Sequence, residues 1–348
     1  MMARTARTPE ARGLLQQPAH AAVRAIARAR LEHAVEKAAP LLVVVDRDVA
    51  TTIANEEVHG FRVAVRRLRS WLRACDDLLH DDLARSERAA LRRIARRAGA
   101  ARDAQVQWHW LTAPTDPMGA PAARAARWLA GERLSEYVVQ RERLQRRAAD
   151  RWPPLTTKLA AALSADRDIR GNAEATDPGH TLARHLGPAL AHDLELARRA
   201  LDRIEHPTQV AAIHRARIKV KRLRYLLDAV VHRSPHRTAA LKQLRLLQDA
   251  LGDLRDAHEL STLVTPLITP RTGTPHSGER RPALRDLRAL RAALRRRELA
   301  AFRHSLDLAG SLEVERAWQY IASLAILLMA PPAGGAPTHR PAHARSDR

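Results

Sequence analysis

Two short stretches, far apart in the chain, impose the same requirement on any fold that contains them. The first runs from Val58 through His59, Arg62, Arg66 and Arg69 to Arg73; the second runs from Ile213 through His214, Arg217, Lys221 and Arg224 to Leu227. Their histidines are 155 positions apart. At that offset Arg62, Val65, Arg67, Leu68 and Arg69 fall on Arg217, Val220, Arg222, Leu223 and Arg224, and Arg66 falls on Lys221. No acid occurs from His59 to Arg73 or from His214 to Arg224. On a helical wheel of about 100° per residue, His59, Arg62, Arg66, Arg69 and Arg73 share a face about 80° wide. Opposite them lie Val58, Phe61, Ala64, Val65, Leu68, Trp71 and Leu72. The second stretch divides alike, with His214, Arg217, Lys221 and Arg224 on one side and Ile213, Ala216, Val220, Leu223, Leu226 and Leu227 on the other. Each is predicted to be a helix with one buried side and one side of a single charge sign.

Such a face differs from an ordinary solvated one. Exposed helices gain about 0.2–0.5 kcal/mol from opposite charges at i,i+4 and lose a similar amount from like charges. Arg62–Arg66, Arg69–Arg73 and Arg217–Lys221 are all like pairs. Cations repeating every helical turn, about 5.4 Å, make a ladder suited to a linear polyanion, and the planar guanidinium fork suits phosphate oxygens. The whole chain points the same way: 60 Lys and Arg against 38 Asp and Glu give a net charge of +22. That self-repulsion opposes compaction unless an anionic partner relieves it.

The remainder is predicted to be helical. Hydrophobic residues make up 45% of the 348 positions, enough for a sizeable core, yet aromatics are only 3% and β-branched runs are scarce. Residues 1–18 read as a disordered basic arm. Helices are expected near 19–38, 55–80, 82–111 and 122–150, with a short one restarted by Trp152-Pro153-Pro154 and ending near Ala165. Residues 166–179 read as a linker. The second half repeats the order, with helices expected near 180–204, 208–232, 236–264, 282–308 and 311–330, and residues 331–348 as a disordered tail. A second match supports an internal duplication: Gly99, Arg102 and Asp103 correspond to Gly252, Arg255 and Asp256 at an offset of 153. Residues 19–165 and 180–330 are thus two helical repeats.

In this order, the pattern His-x-x-Arg-hydrophobic-x-Val-basic-Arg-Leu-Arg followed by Gly-x-x-Arg-Asp-Ala resembles the CHAD domain family, over roughly residues 19–330. The resemblance implies an all-α fold of two four-helix bundles related by a pseudo-two-fold axis. It implies a central basic groove or pore that binds inorganic polyphosphate, and association with polyphosphate granules. Carried to matching positions, the implied contacts are His59, Arg62, Arg66, Arg69 and Arg73 in the first repeat and His214, Arg217, Lys221 and Arg224 in the second, joined by Arg102 and Arg255. Two departures matter: Ala64 stands where the second repeat has Lys219, and Asp228 stands where the first has Arg73. The groove is therefore expected to be electrostatically lopsided. Many family members also carry a triphosphate-tunnel domain with a Glu-x-Glu-x-Lys motif, which does not occur here. The chain reads as the stand-alone form, a binding module and not an enzyme.

Other chemistries fit less well. His59 and His214 have no neighbouring His-x-x-x-His or Cys partner, whereas catalytic zinc usually takes three protein ligands, so no metal and no cofactor are expected. Asp103 and Asp256 each follow an arginine and are read as acids that orient a neighbouring helix's arginine. No Gly-x-x-x-x-Gly-Lys-Ser/Thr loop or His-Glu-x-x-His occurs. Nucleic acid is the alternative partner, since phosphate contacts alone are blind to sequence. However, the stripe lacks Asn or Gln for base edges and aromatic platforms for stacking. The longest strongly apolar run, Tyr320 to Ala330, is about half of the roughly 20 residues a membrane span requires. A single cysteine, Cys75, excludes an internal disulfide and fits a reducing compartment. The expected location is cytoplasmic.

Overall fold

The computed structural model describes residues 11–43, 57–112, 118–164, 180–230, 234–268 and 281–330. About these the chain is helical throughout: α1 (Ala11–Leu15), α2 (Ala19–Leu42), α3 (Glu57–Ala74), α4 (Asp76–Leu79), α5 (Arg85–Thr112), α6 (Ala120–Ser164), α7 (Leu182–Asp202), α8 (Val210–Ala229), α9 (Pro235–Ile268), α10 (Leu284–Ala309) and α11 (Leu312–Met329). The two motif helices bury the sides their patterns assign. On α3 these are Val58, Phe61, Ala64, Val65, Leu68, Trp71 and Leu72. On α8, Ile213, Ala216, Val220, Leu223, Leu226 and Leu227 are all buried.

Packing closes two rings of four helices. In the first, α2 lies against α3 and α6, and α5 completes the ring by touching α3 and α6. In the second, α7 lies against α8 and α11, and α9 touches both of those. α10 is an additional arm that packs on α9 and reaches across to α6. Trp152 meets Phe61 edge-to-face at 5.1 Å between ring centroids, which ties α6 to the motif helix α3. The Trp71 indole N–H donates to the Val23 carbonyl at 3.0 Å, which fixes α3 on α2. At the base of the first bundle, Arg24 donates from Nε to Asp82 at 2.9 Å and from Nη2 at 2.5 Å, with both side chains nearly buried.

Some expected boundaries are corrected. Part of the basic arm, residues 11–18, is structured: α1 forms, the Ala19 amide donates to the His180 carbonyl, and the Leu182 amide donates to the Gln17 carbonyl. The predicted helix 55–80 ends at Ala74, and Cys75, buried at φ −115°, ψ 36°, separates it from α4. The helices expected at 122–150 and 152–165 are one continuous 45-residue helix. Proline removes an i→i−4 donor and normally breaks a helix. Here Pro153 and Pro154 lie on the solvent side, as do Ala149 and Asp150, so water can take up the carbonyls left without donors. Buried Trp152 and Leu155, on the other side, hold the helix in line. In the second bundle the corresponding stretch is divided at Gly310 into α10 and α11, as expected. The expected linker at 166–179, the tail at 331–348 and residues 1–10 lie outside the described residues.

Candidate anion-binding site

The two bundles meet in two zones. In one, α2 and α3 face α7 and α8: Ser70, Trp71 and Ala74 line a small cleft with Arg222, Tyr225 and Leu226, and Arg67 reaches Asp228 at 3.9 Å. In the other, the tips of α5 and α6 pack on those of α9 and α10. They form a separate apolar cluster that includes Leu111, Leu129, Leu260 and Leu290, closed by Arg124 donating twice to Asp286 at 2.9 and 3.1 Å. The two buried clusters are distinct, with half-buried Trp108 packing against both. On α5 the main core ends at Ala104 and the second cluster begins at Leu111; on α9 it ends at Leu254 and resumes at Leu260. On α9 the interval holds Arg255, Asp256 and Glu259, and on α5 Arg102 and Asp103 lie just before it.

Most of the sequence-predicted residues converge there. Arg62 and Arg66 project from α3, Arg217 and Lys221 from α8, Arg102 from α5 and Arg255 from α9. Their proximity shows in how they titrate. Burial, and then Arg66, Arg217, Arg62 and Arg255, push Lys221 down to about 7. Burial, and then Arg66, push Arg62 down to about 9, with Arg102 and Arg217 adding to the shift and Asp103 opposing it. Arg217 is lowered by burial and then by Arg255, with Arg66 of the other bundle contributing. His214, at the edge, is lowered by burial and then by Arg255, Arg217 and Lys221. The Nε atoms of Arg62 and Arg217 are buried without a hydrogen-bond partner. An arginine donor in that state costs free energy until an acceptor arrives.

Three carboxyls temper the cations. Asp103 of α5 stands 4.0 Å from Arg255 of α9, so the acid of one bundle faces an arginine of the other. Glu259 accepts from Arg255 at 2.7 Å. Burial works to lower Arg255, and the carboxylates of Glu259, Asp103 and Asp256 outweigh it and raise it. Asp256 is pushed up to about 6 by burial, against the pull of Arg217 and Arg255. Of the two acids expected to orient a neighbouring helix's arginine, Asp103 reaches Arg255, and Asp256 acts on Arg217 and Arg255 through its charge. Gly252 lies under the Arg217 guanidinium: a Cβ there would stand 3.6 Å from Nε. The Gly-x-x-Arg-Asp motif of α9 thus forms the bed on which the α8 arginine rests.

Not every predicted residue joins this cluster. Arg69 and Arg73 lie further along α3, where burial and then Arg73, Arg92 and Arg96 lower Arg69. Arg224 turns instead to Gln248, donating at 3.2 Å, and stacks on Tyr225 at 4.6 Å. Arg102, though within the cluster, also donates to Gln105 at 2.9 Å. His59 is half-buried in the first turn of α3, one turn before Arg62. Sequence reasoning missed Glu259, Arg92 and Arg96. Glu259 was accessible through its i,i+4 spacing to Arg255; the two arginines carried no signal until α5 was known to lie beside α3. Among the described residues there is no group of three or more potential metal-ligating side chains. None of the described helices is long and apolar enough to cross a membrane.

Comparison with known proteins places the fold. A comparison with curated proteins gave no match. Among solved structures, the crystal structure of the CHAD domain from the plant Ricinus communis is 20% identical with a TM-score of 0.64, covering 91% of this chain and 96% of that one. PptA from Streptomyces chartreusis is 18% identical with a TM-score of 0.57, covering 87% of this chain and 99% of that one. At these identities the likeness is one of fold. The sequence pattern of the CHAD domain matches residues 25–265, more than half of the chain, and it does so across both motif helices; this protein belongs to the CHAD domain family.

Proposed function

We propose that the protein binds inorganic polyphosphate in the groove between the bundles, without catalysing a reaction on it, and that this binding associates it with polyphosphate granules. The observation that carries the reading is the mutual crowding of Arg62, Arg66, Arg217 and Lys221, drawn from both bundles and partly desolvated. Desolvated like charges destabilise the empty groove, and a multivalent anion relieves them. The buried arginine donors favour oxygen acceptors, and the repeat along α3 and α8 favours an acceptor that itself repeats. Membership of a family linked to polyphosphate supports the same choice.

The test is the double variant Arg62→Glu with Arg217→Glu, assayed by titration calorimetry against long-chain polyphosphate. Binding is expected to disappear while helicity by circular dichroism stays that of the native protein. Unchanged affinity refutes the assignment. Displacement of bound polyphosphate by duplex DNA at equal phosphate concentration would favour nucleic acid as the partner. Release of orthophosphate that persists in the double variant would favour an enzyme.

A further inference from the structure

The groove does not continue equally into both bundles. Beyond the central cluster, α3 carries its stripe on through Arg69 and Arg73, and α5, which packs against α3, adds Arg92 and Arg96, both of which act electrostatically on Arg69. Both α5 arginines are exposed and form a like-charged i,i+4 pair, as do Arg93 and Arg97 beside them.

The matching positions of the second bundle are engaged by neighbours or replaced by acids. Arg224, at the place of Arg69, is held by Gln248 and Tyr225. Asp228, at the place of Arg73, lies 3.9 Å from both Arg67 and Arg237. At the offset that aligns the Gly-x-x-Arg-Asp motifs, Arg92 falls on Arg245 and Arg96 on Asp249, and those two form an ion pair at 3.6 Å. Four cations on one side thus correspond to two cations and two acids on the other. Net formal charge at the four matched positions differs by four, so a flexible polyanion leaving the centre meets stronger attraction over the first bundle than over the second.

We infer that a bound polyphosphate chain leaves the central groove over the first bundle only, along a track on α3 and α5 formed by Arg69, Arg73, Arg92 and Arg96. The inference rests on the polyphosphate reading above and adds two residues and a direction to it. A short chain fills the centre and does not reach the track; a long chain occupies both.

The experiment compares tripolyphosphate with long-chain polyphosphate on three proteins: native, Arg92→Gln with Arg96→Gln, and Lys242→Gln with Arg245→Gln. The last removes the same charge from the same region of α9. The track variant is expected to bind long chains about tenfold more weakly, about 1.4 kcal/mol, and tripolyphosphate as the native protein does. The α9 variant is expected to match native affinity for both ligands. Loss of long-chain affinity to the same extent in both variants overturns the inference, because net charge alone would then account for it. Equal loss for both ligands in the track variant also overturns it, as does no loss at all. Failure of the native protein to bind either ligand overturns the polyphosphate reading itself, and this inference with it.

Discussion

Lys221 offers a sharp test of the groove, because its charge is in play near neutral pH. A lysine in an unfolded chain titrates near about 10.4. Burial and the four arginines around it bring Lys221 down to about 7. Between those values the unfolded chain binds more protons than the folded one, so the stability of the ligand-free protein rises with pH across that window, by at most about 1.4 kcal/mol per unit. Anion binding has the opposite sign. A phosphate beside Lys221 favours the ammonium, and holding it charged at higher pH requires taking up a proton. If the ligand lifts Lys221 by one unit, affinity falls about fivefold between pH 7 and 9; if it restores the unfolded value, the fall approaches about fifty-fold. His214, whose titration is lowered, and Asp256, near 6, complete their changes below this window. Calorimetry from pH 7 to 9 on the native protein and on Lys221→Arg isolates the effect, since titration of the ligand and of Arg62 is common to both and an arginine at position 221 holds its charge to higher pH than the lysine. The native affinity is expected to fall relative to that of the variant, and thermal stability without ligand to rise more in the native protein than in the variant over the same range, since Arg62, pushed down to about 9, contributes to both. Parallel affinity profiles for the two proteins would refute the placement of Lys221 against the anion.

Two further outcomes follow from the acids. Asp103→Asn removes the carboxylate that faces Arg255 and tempers Arg62 and Arg217; polyphosphate affinity is expected to rise about three- to tenfold by calorimetry, with a steeper dependence on salt and a lower melting temperature without ligand. Asp82→Asn leaves Arg24 buried with its bidentate partner neutralised, so urea denaturation is expected to show a loss of about 3–5 kcal/mol, with polyphosphate affinity unchanged at temperatures where the variant is folded.

Much of the helical scaffold was legible because its cause is local. The period of Val58, Phe61, Val65, Leu68 and Leu72 assigns the buried side of α3 without reference to any other helix, and all five are buried. The continuity of α6 through Pro153 and Pro154 was not legible. Local rules count the lost donors, whereas the outcome depends on which side of the helix faces water and on Trp152 finding Phe61 across the core. Likewise the short-range rule that stopped the basic arm before Ala19 could not see Pro18 meeting Thr181.

For the site, the sequence by itself determined the cationic stripes, their recurrence in order and spacing, and the imbalance between Arg73 and Asp228. These are properties of single helices, fixed by which side chains recur every turn. Only the tertiary structure decided which cations share a field. It gathered Arg62, Arg66, Arg217 and Lys221 from two bundles and sent Arg224 to Gln248. It set Asp103 against an arginine of the opposite bundle and laid Arg92 and Arg96 beside Arg69. The stripe of a helix is written in its own period. The potential in a groove depends on distances between residues remote in sequence and on how much water is excluded between them, and both exist only once the helices have packed.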